Sequence, residues 1–199
     1  MIDVAQSLPD VQGIPIEWRQ ANATQLPFDD RSIDVVVCAQ TLQFVPERLS
    51  SLREMLRVLK PGGRAALSLW SDIEESPYFS VLVETVASHI GTETSAGLNS
   101  AFALSDADEI QALLDESGFT QIEIATTQLD LPLPNLTEFV PRHITATPMA
   151  AGFAAAPEST QHAVIQEVSE KLSNYEVDDY VRIPFASFMI TGQSGQEMN

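Results

Sequence analysis

Apolar positions along this chain follow two rhythms. Residues 33–38 read Ile-Asp-Val-Val-Val-Cys, an almost continuous β-branched run. That habit belongs to a strand buried on both faces, as in parallel sheets. Residues 46–59 then place Leu49, Leu52, Leu56 and Leu59 at helical spacing, and Met55 and Val58 widen the apolar face. Pro46 sits where a first-turn proline is tolerated. Pro61-Gly62-Gly63 reads as a helix stop and turn, and residues 64–70 as the next strand. Residues 33–70 therefore predict one strand–helix–strand unit, whose right-handed crossover implies a parallel pair.

The same reading extends outward. Residues 1–7 carry a short helical pattern that Pro9 ends, and residues 14–20 alternate as a half-buried strand with an edge-type proline, Pro15. Residues 26–30 are turn-forming. Helices are predicted over residues 78–90, 105–117, 136–146 and 157–172, with Ser105 as the N-cap of the second, Asp108 in a weak capping-box position and Gly118 as its stop. Strands are predicted over residues 119–131 and 181–191. The alanine-rich stretch 149–157 is the nearest thing to a linker but is too apolar to be one, and residues 192–199 form a polar tail. No internal repeat is present.

Composition narrows the function classes. The chain has 199 residues, 44% hydrophobic and 19% charged, enough for one globular domain with a core. No window reaches the length of a membrane span, and the first residues lack a basic flank followed by an apolar run. The expected location is the cytoplasm. A net charge of −18, with Lys60 and Lys171 the only lysines, argues against nucleic-acid partners and anionic membranes. The single cysteine, Cys38, excludes an internal disulfide and a cysteine-rich metal site, and His89, His143 and His162 form no helical zinc pair. No Gly-x-Ser-x-Gly occurs, and no Tyr-x-x-x-Lys follows Tyr78, Tyr175 or Tyr180, which disfavours a serine hydrolase and a nicotinamide dehydrogenase.

Four segments in order carry a specific resemblance. They are Asn22-Ala-Thr-Gln-Leu-Pro-Phe28, Ser32-Ile-Asp-Val-Val-Val-Cys38, Leu42-Gln-Phe-Val-Pro46 and Leu52 through Lys60-Pro-Gly-Gly-Arg64. Each is weak alone; together they resemble the type 11 family of class I S-adenosylmethionine-dependent methyltransferases. The likeness is loosest over residues 135–179. It implies an α/β, Rossmann-like class I methyltransferase fold, here lacking the first two strands. Residues 1–134 and 180–192 would form the sheet and its helices, and residues 135–179 a helical cap inserted before the last strand. The implied cofactor is S-adenosyl-L-methionine and the implied partner a small-molecule substrate.

Ligands of open α/β sheets lie beyond the carboxyl ends of the strands. The resemblance therefore assigns Asn22, Ala23 and Leu26 to the adenine, with Phe28 beside them. It assigns Cys38, Ala39 and Gln40 to the ribose and methionine. Gln43 and Phe44 fall on the substrate side, where Phe44 replaces a histidine of many relatives. Trp70, Tyr78, Phe139, Phe185 and His143 are further candidates for lining the substrate. Each has a plainer reading: Asn22 as a turn-closing side chain, Cys38 as a small core residue, the aromatic residues as packing, and His143 as an exposed or structural histidine. No catalytic residue is identified.

No Gly-x-Gly-x-Gly loop exists in the sequence. In the family that loop follows the first strand and lets the backbone approach the cofactor. The expectation is an N-terminally truncated chain, with two strands and a helix missing beside residues 33–38, or residues 14–20 moving across to pair there. The alternative is a non-catalytic relative or interaction subunit that pairs, with a second copy of itself or another chain, through an open strand edge.

Overall fold

The computed structural model describes residues 2–7, 15–177 and 180–196. Its helices are α1 (Ile2–Gln6), α2 (Arg48–Val58), α3 (Pro77–His89), α4 (Thr92–Asn99), α5 (Ala107–Ser117), α6 (Leu136–Thr145), α7 (Ala150–Ala155) and α8 (Glu158–Lys171). Its strands are β1 (Ile33–Ala39), β2 (Leu59–Trp70), β3 (Thr120–Leu133), β4 (Glu176–Val177) and β5 (Tyr180–Gln193). They form one sheet in the order β1-β2-β5-β3, with β4 paired to β5. β1 and β2 are parallel and joined through α2, as the sequence predicts. β5 runs antiparallel between β2 and β3. The mixed α/β architecture with an open sheet is the expected one.

Two apolar cores hold these layers together. On one sheet face, Cys38, Leu67, Leu69, Phe188 and Ile190 pack against Leu52 and Met55 of α2 and Ile110 and Leu114 of α5. The second core joins α3, α4, α6, α7 and α8 to the ends of β3 and β5, through Tyr78, Phe79, Leu136, Val140, Phe153, Val164, Val168 and Ile183. Burial of these side chains supplies the main driving force for the layer contacts.

Several local expectations change. Residues 15–20 form no strand and are all exposed; alternation alone cannot hold a strand without a hydrogen-bonded neighbour, and the remainder of that expectation, residue 14, lies outside the described residues. The N-cap of α5 is Asp106 rather than Ser105: its carboxylate accepts the Asp108 and Glu109 N–H groups at 2.8 and 3.2 Å. Gly118 ends α5 in the left-handed region, φ 99°, as predicted. α4 and α7 were not predicted, because TETSAGLN and AAGFAA show no clear apolar period.

Pro61-Gly62-Gly63 is not a separate turn after the helix. α2 passes directly into β2, and these residues form a bulge inside the strand. Ile33 pairs with Leu59 while Val35 pairs with Arg64, so Lys60 to Gly63 loop out of register. Ser194 stitches the bulge, its hydroxyl donating to the Lys60 carbonyl at 2.5 Å and its N–H to that of Gly63 at 3.0 Å. A Cβ on Gly63 would stand 2.8 Å from the Lys60 carbonyl oxygen and 3.1 Å from that of Asp34. Both obstacles are backbone and cannot swing aside. Gly63→Ala should therefore cost about 1–3 kcal/mol, read as a lower thermal midpoint by circular dichroism; an unchanged midpoint would mean that the bulge relaxes freely.

The opposite sheet face is largely open beyond the helical cluster. Val35 and Val37 of β1 are 54% and 70% exposed, and Met189 of β5 is 50% exposed. Val37 pairs with Ala66 and Ala66 with Thr191, while Ala39 pairs with Ser68 and Ser68 with Met189, so these positions form two rows of one face. Among the described residues β1 has a strand neighbour on one side only. A β-branched strand built for burial thus presents an open edge and an open face. No helix among the described residues is long and apolar enough to cross a membrane, and no group of three or more metal-ligating side chains occurs among them.

Candidate functional site

The carboxyl ends of β1 and β2 define where a ligand of this sheet belongs. β1 closes on Cys38 and Ala39. Gln40 follows with φ 46°, its N–H held by the Ser68 carbonyl of β2 at 2.9 Å. A non-glycine residue in this region marks a tightly specified turn. The Gln40 side chain crosses the end of β2 to donate to Ser187 Oγ at 3.3 Å, and its Oε1 accepts from Gln43 Nε2 at 3.0 Å. Gln43 is buried, and its Oε1 has no partner among the described residues. That oxygen is enclosed by protein, so no ligand reaches it in this arrangement. Phe44, next along, is 54% exposed. Cys38 is buried in the core, and that burial pushes its thiol up, against a nucleophilic role.

Asn22 performs the turn-closing role. Its Oδ1 accepts from both the N–H and the hydroxyl of Thr24 at 3.0 Å each. These two donors match the two lone pairs of an amide oxygen, leaving the Nδ2 hydrogens for a ligand. Ala23 lies inside this turn, which closes through Gln25 N–H to Asn22 C=O at 2.9 Å. Leu26 lines a shallow groove of about 270 Å³ with Glu17, Arg19, Ala21, Pro27 and Phe28.

The turn is tied through α2 to the start of β1, the end opposite Cys38–Gln40. The Arg31 and Ser32 N–H groups donate to the Arg57 and Val58 carbonyls, both at 2.9 Å, so the C-terminus of α2 lies at the start of β1. The turn is attached at Glu54, six residues into α2, about 9 Å along the helix from its start at 1.5 Å per residue.

Trp70 and Tyr78, close in sequence, meet the distant His143 in one aromatic cluster. Tyr78 is fully buried, and its hydroxyl lies 2.9 Å from His143 Nδ1. Phe139 stacks on the His143 ring at 5.6 Å and 9°. Phe79 touches Trp70, Tyr78, His143, Phe102 and Phe185. Burial pushes the Tyr78 hydroxyl far up, so it keeps its proton, and we assign it as the donor to Nδ1. That assignment puts the imidazole hydrogen on Nε2 and occupies the basic nitrogen, which weighs against His143 as a general base. The rings pack against one another, so the packing reading also describes Trp70, Tyr78, Phe139 and Phe185. The Tyr78–His143 pair spans 65 residues and has no local signal in the sequence.

The pair carries a pH dependence. Burial lowers the His143 pKa below its ordinary 6.5. Between those values the unfolded chain binds a proton that the folded chain does not, so stability falls as pH drops through 6.5 toward the folded value. The thermal midpoint should decline over that window, and His143→Gln should flatten the decline. A wild-type midpoint that rises on acidification would contradict this.

Comparison with known proteins follows the same outline. Residues 1–67 match a family model described as a methyltransferase domain. The chain is 32% identical over 125 residues to an arsenite methyltransferase of Halobacterium salinarum, covering 63% of this chain and 28% of that protein. It is 31% identical over 134 residues to a demethylmenaquinone methyltransferase of Lactococcus lactis, covering 62% of this chain and 53% of that one. The chain thus spans about half the length, or less, of these curated relatives. Among solved structures, the YcgJ protein of Bacillus subtilis superposes with a TM-score of 0.58 at 17% identity, covering 99% of this chain and 79% of that one.

Proposed function

We propose, for a chain that is a class I methyltransferase in fold and in the sequence of its first third, that it forms the adenine and substrate side of a small-molecule, S-adenosylmethionine-dependent methyltransferase. The observation that carries this is the strand order β1-β2-β5-β3 with β5 reversed, together with the family match over residues 1–67. The proposal joins the Asn22 turn, tied to α2 through Glu54 and Arg57, and the Cys38–Gln40 strand end in one pocket. The partner groups fit one end of the cofactor: Asn22 Nδ2 and the Ala23 backbone for the base, with Leu26 beside it, and Ala39 and Gln40 for the sugar. Cys38 would contribute its backbone, since its thiol is buried. The methionine end needs the glycine-rich loop, which this sequence does not contain; the exposed edge and face of β1 are where a segment bearing it would pack.

When bound, the cofactor supplies an activated methyl group. The chain's own contribution is placement, which accounts for much of the rate of such displacements. Gln43, buried and donating to the Gln40 side chain at 3.0 Å, would hold Gln40 in place. Phe44 would offer an apolar contact, and the packed cluster of Trp70, Tyr78 and His143 would anchor the cap, residues 135–179, to the sheet. That cap excludes water from the reacting pair. With the basic nitrogen of His143 already occupied, the substrate would reach its nucleophilic form without this histidine.

The test is calorimetric titration of S-adenosylhomocysteine into the natural gene product. Binding by the gene product supports the proposal. No binding by the gene product ends it.

The open edge of β1 favours one second reading, an interaction subunit in which this edge pairs with another chain or a second copy. A homodimer in sedimentation that Val35→Pro dissolves, without cofactor binding, would favour it; a monomer at high concentration would count against it.

A further inference from the structure

We propose that Glu54 and Arg57 of α2 are positioning residues for the nucleoside side of the site: together they clamp both backbone groups of Leu26 and so set the Asn22 turn in place. The inference rests on the methyltransferase reading above. Glu54 Oε1 accepts the Leu26 N–H at 2.7 Å and Arg57 Nη2 at 2.7 Å, while Oε2 accepts Arg57 Nε at 2.8 Å. The same guanidinium donates to the Leu26 and Phe28 carbonyls at 3.3 and 2.9 Å and to the Asp30 carboxylate. One planar side chain therefore holds one carboxylate edge-on and two carbonyls of the turn at once, which lysine cannot do.

Two observations separate this clamp from an ordinary surface ion pair. Glu54 is only 12% exposed and Arg57 32%, whereas Lys60–Asp34 and Arg53–Glu116 have side chains 45–78% exposed. Pairs of that exposed kind contribute little. Among the described residues the turn's other contacts are exposed: Arg19 Nη1 donates to the Pro27 carbonyl at 3.1 Å and its guanidinium lies 5.4 Å from the Phe28 ring centroid, no buried hydrophobic core residue precedes Cys38, and Asn22, Gln25, Pro27 and Phe28 are exposed. Packing does not fix its height along α2; the hydrogen bonds of Glu54 and Arg57 do. Because the Leu26 N–H is consumed by Glu54, it is not available to a base.

The test uses the natural gene product, with Glu54→Ala and the milder Glu54→Gln. Two quantities are read: hydrogen exchange at the Leu26 amide against Leu67 in β2, and affinity for S-adenosylhomocysteine by calorimetry. Glu54→Ala should speed Leu26 exchange about tenfold or more, leave Leu67 unchanged and weaken binding about tenfold (~1.4 kcal/mol). Glu54→Gln keeps an acceptor and should fall between. Faster Leu26 exchange with unchanged affinity would overturn the positioning role and leave the adenine assignment standing. A wild-type protein that binds no S-adenosylhomocysteine would overturn the methyltransferase reading itself. If Glu54→Ala does not fold, Glu54→Gln decides by the same two measurements.

Discussion

Replacing Phe79 with alanine should lower the unfolding free energy by about 4 kcal/mol, near the top of the range for a buried aromatic residue. The side chain is 7% exposed. Its ring lies 5.1 Å from Trp70, 5.5 Å from Tyr78, 5.4 Å from Phe102 and 5.3 Å from Phe185. All four contacts are edge-to-face, three at 66–68° and that to Phe185 at 78°. Such geometry adds to the apolar area buried. Trp70 belongs to β2 and Phe185 to β5, so the ring is the point where the helical cluster meets the sheet. Removing it leaves a cavity whose walls come from four elements and cannot all close together. Equilibrium denaturation with urea measures the loss. A change below about 1.5 kcal/mol would mean that the helices hold to the sheet through other contacts.

The second large effect concerns binding. Ala39→Trp should weaken S-adenosylhomocysteine binding by about a hundredfold or more (~2.7 kcal/mol) in the natural gene product. Ala39 is exposed, ends β1 and pairs with Ser68 at the carboxyl end of the sheet. An indole there would occupy the crevice in which a ligand of this sheet lies. Because the residue touches no core, stability should stay within about 0.5 kcal/mol of wild type. Retained affinity in Ala39→Trp would place the ligand elsewhere.

The elements that the sequence shows clearly are those whose side chains alone determine them. The β-branched run of β1 and the leucine spacing of α2 need no distant partner to be recognised, and both stand where expected. The failures involve tertiary context. Residues 15–20 alternate like a strand, yet no neighbour pairs with them among the described residues. Lys60-Pro-Gly-Gly has the composition of a turn, but Ser194, far along the chain, folds it into the strand as a bulge. Asp106 outcompetes Ser105 as a cap because its carboxylate reaches two N–H groups, a choice set by one residue of register.

The candidate site divides in the same way. Positions at the ends of β1 follow from strand placement and were legible. The Asn22 side chain closes its own turn, an outcome weighed from its chemistry alone. The Tyr78–His143 bond joins α3 to α6 and depends on how two helices pack, which local pattern does not encode. The Glu54–Arg57 clamp was missed, although a glutamate three residues before an arginine on one helix face was a visible signal. What that spacing could not show was that both side chains point at the backbone of Leu26 rather than at solvent.

Amide chemical shifts of the isotope-labelled natural gene product, followed as S-adenosylhomocysteine is added, test the central claim most directly. The account predicts that Ala23 and Gln40 move together along one saturation curve. Shifts confined to one of them, or saturating at different ligand concentrations, would show that the turn and the strand end do not wall a common nucleoside site.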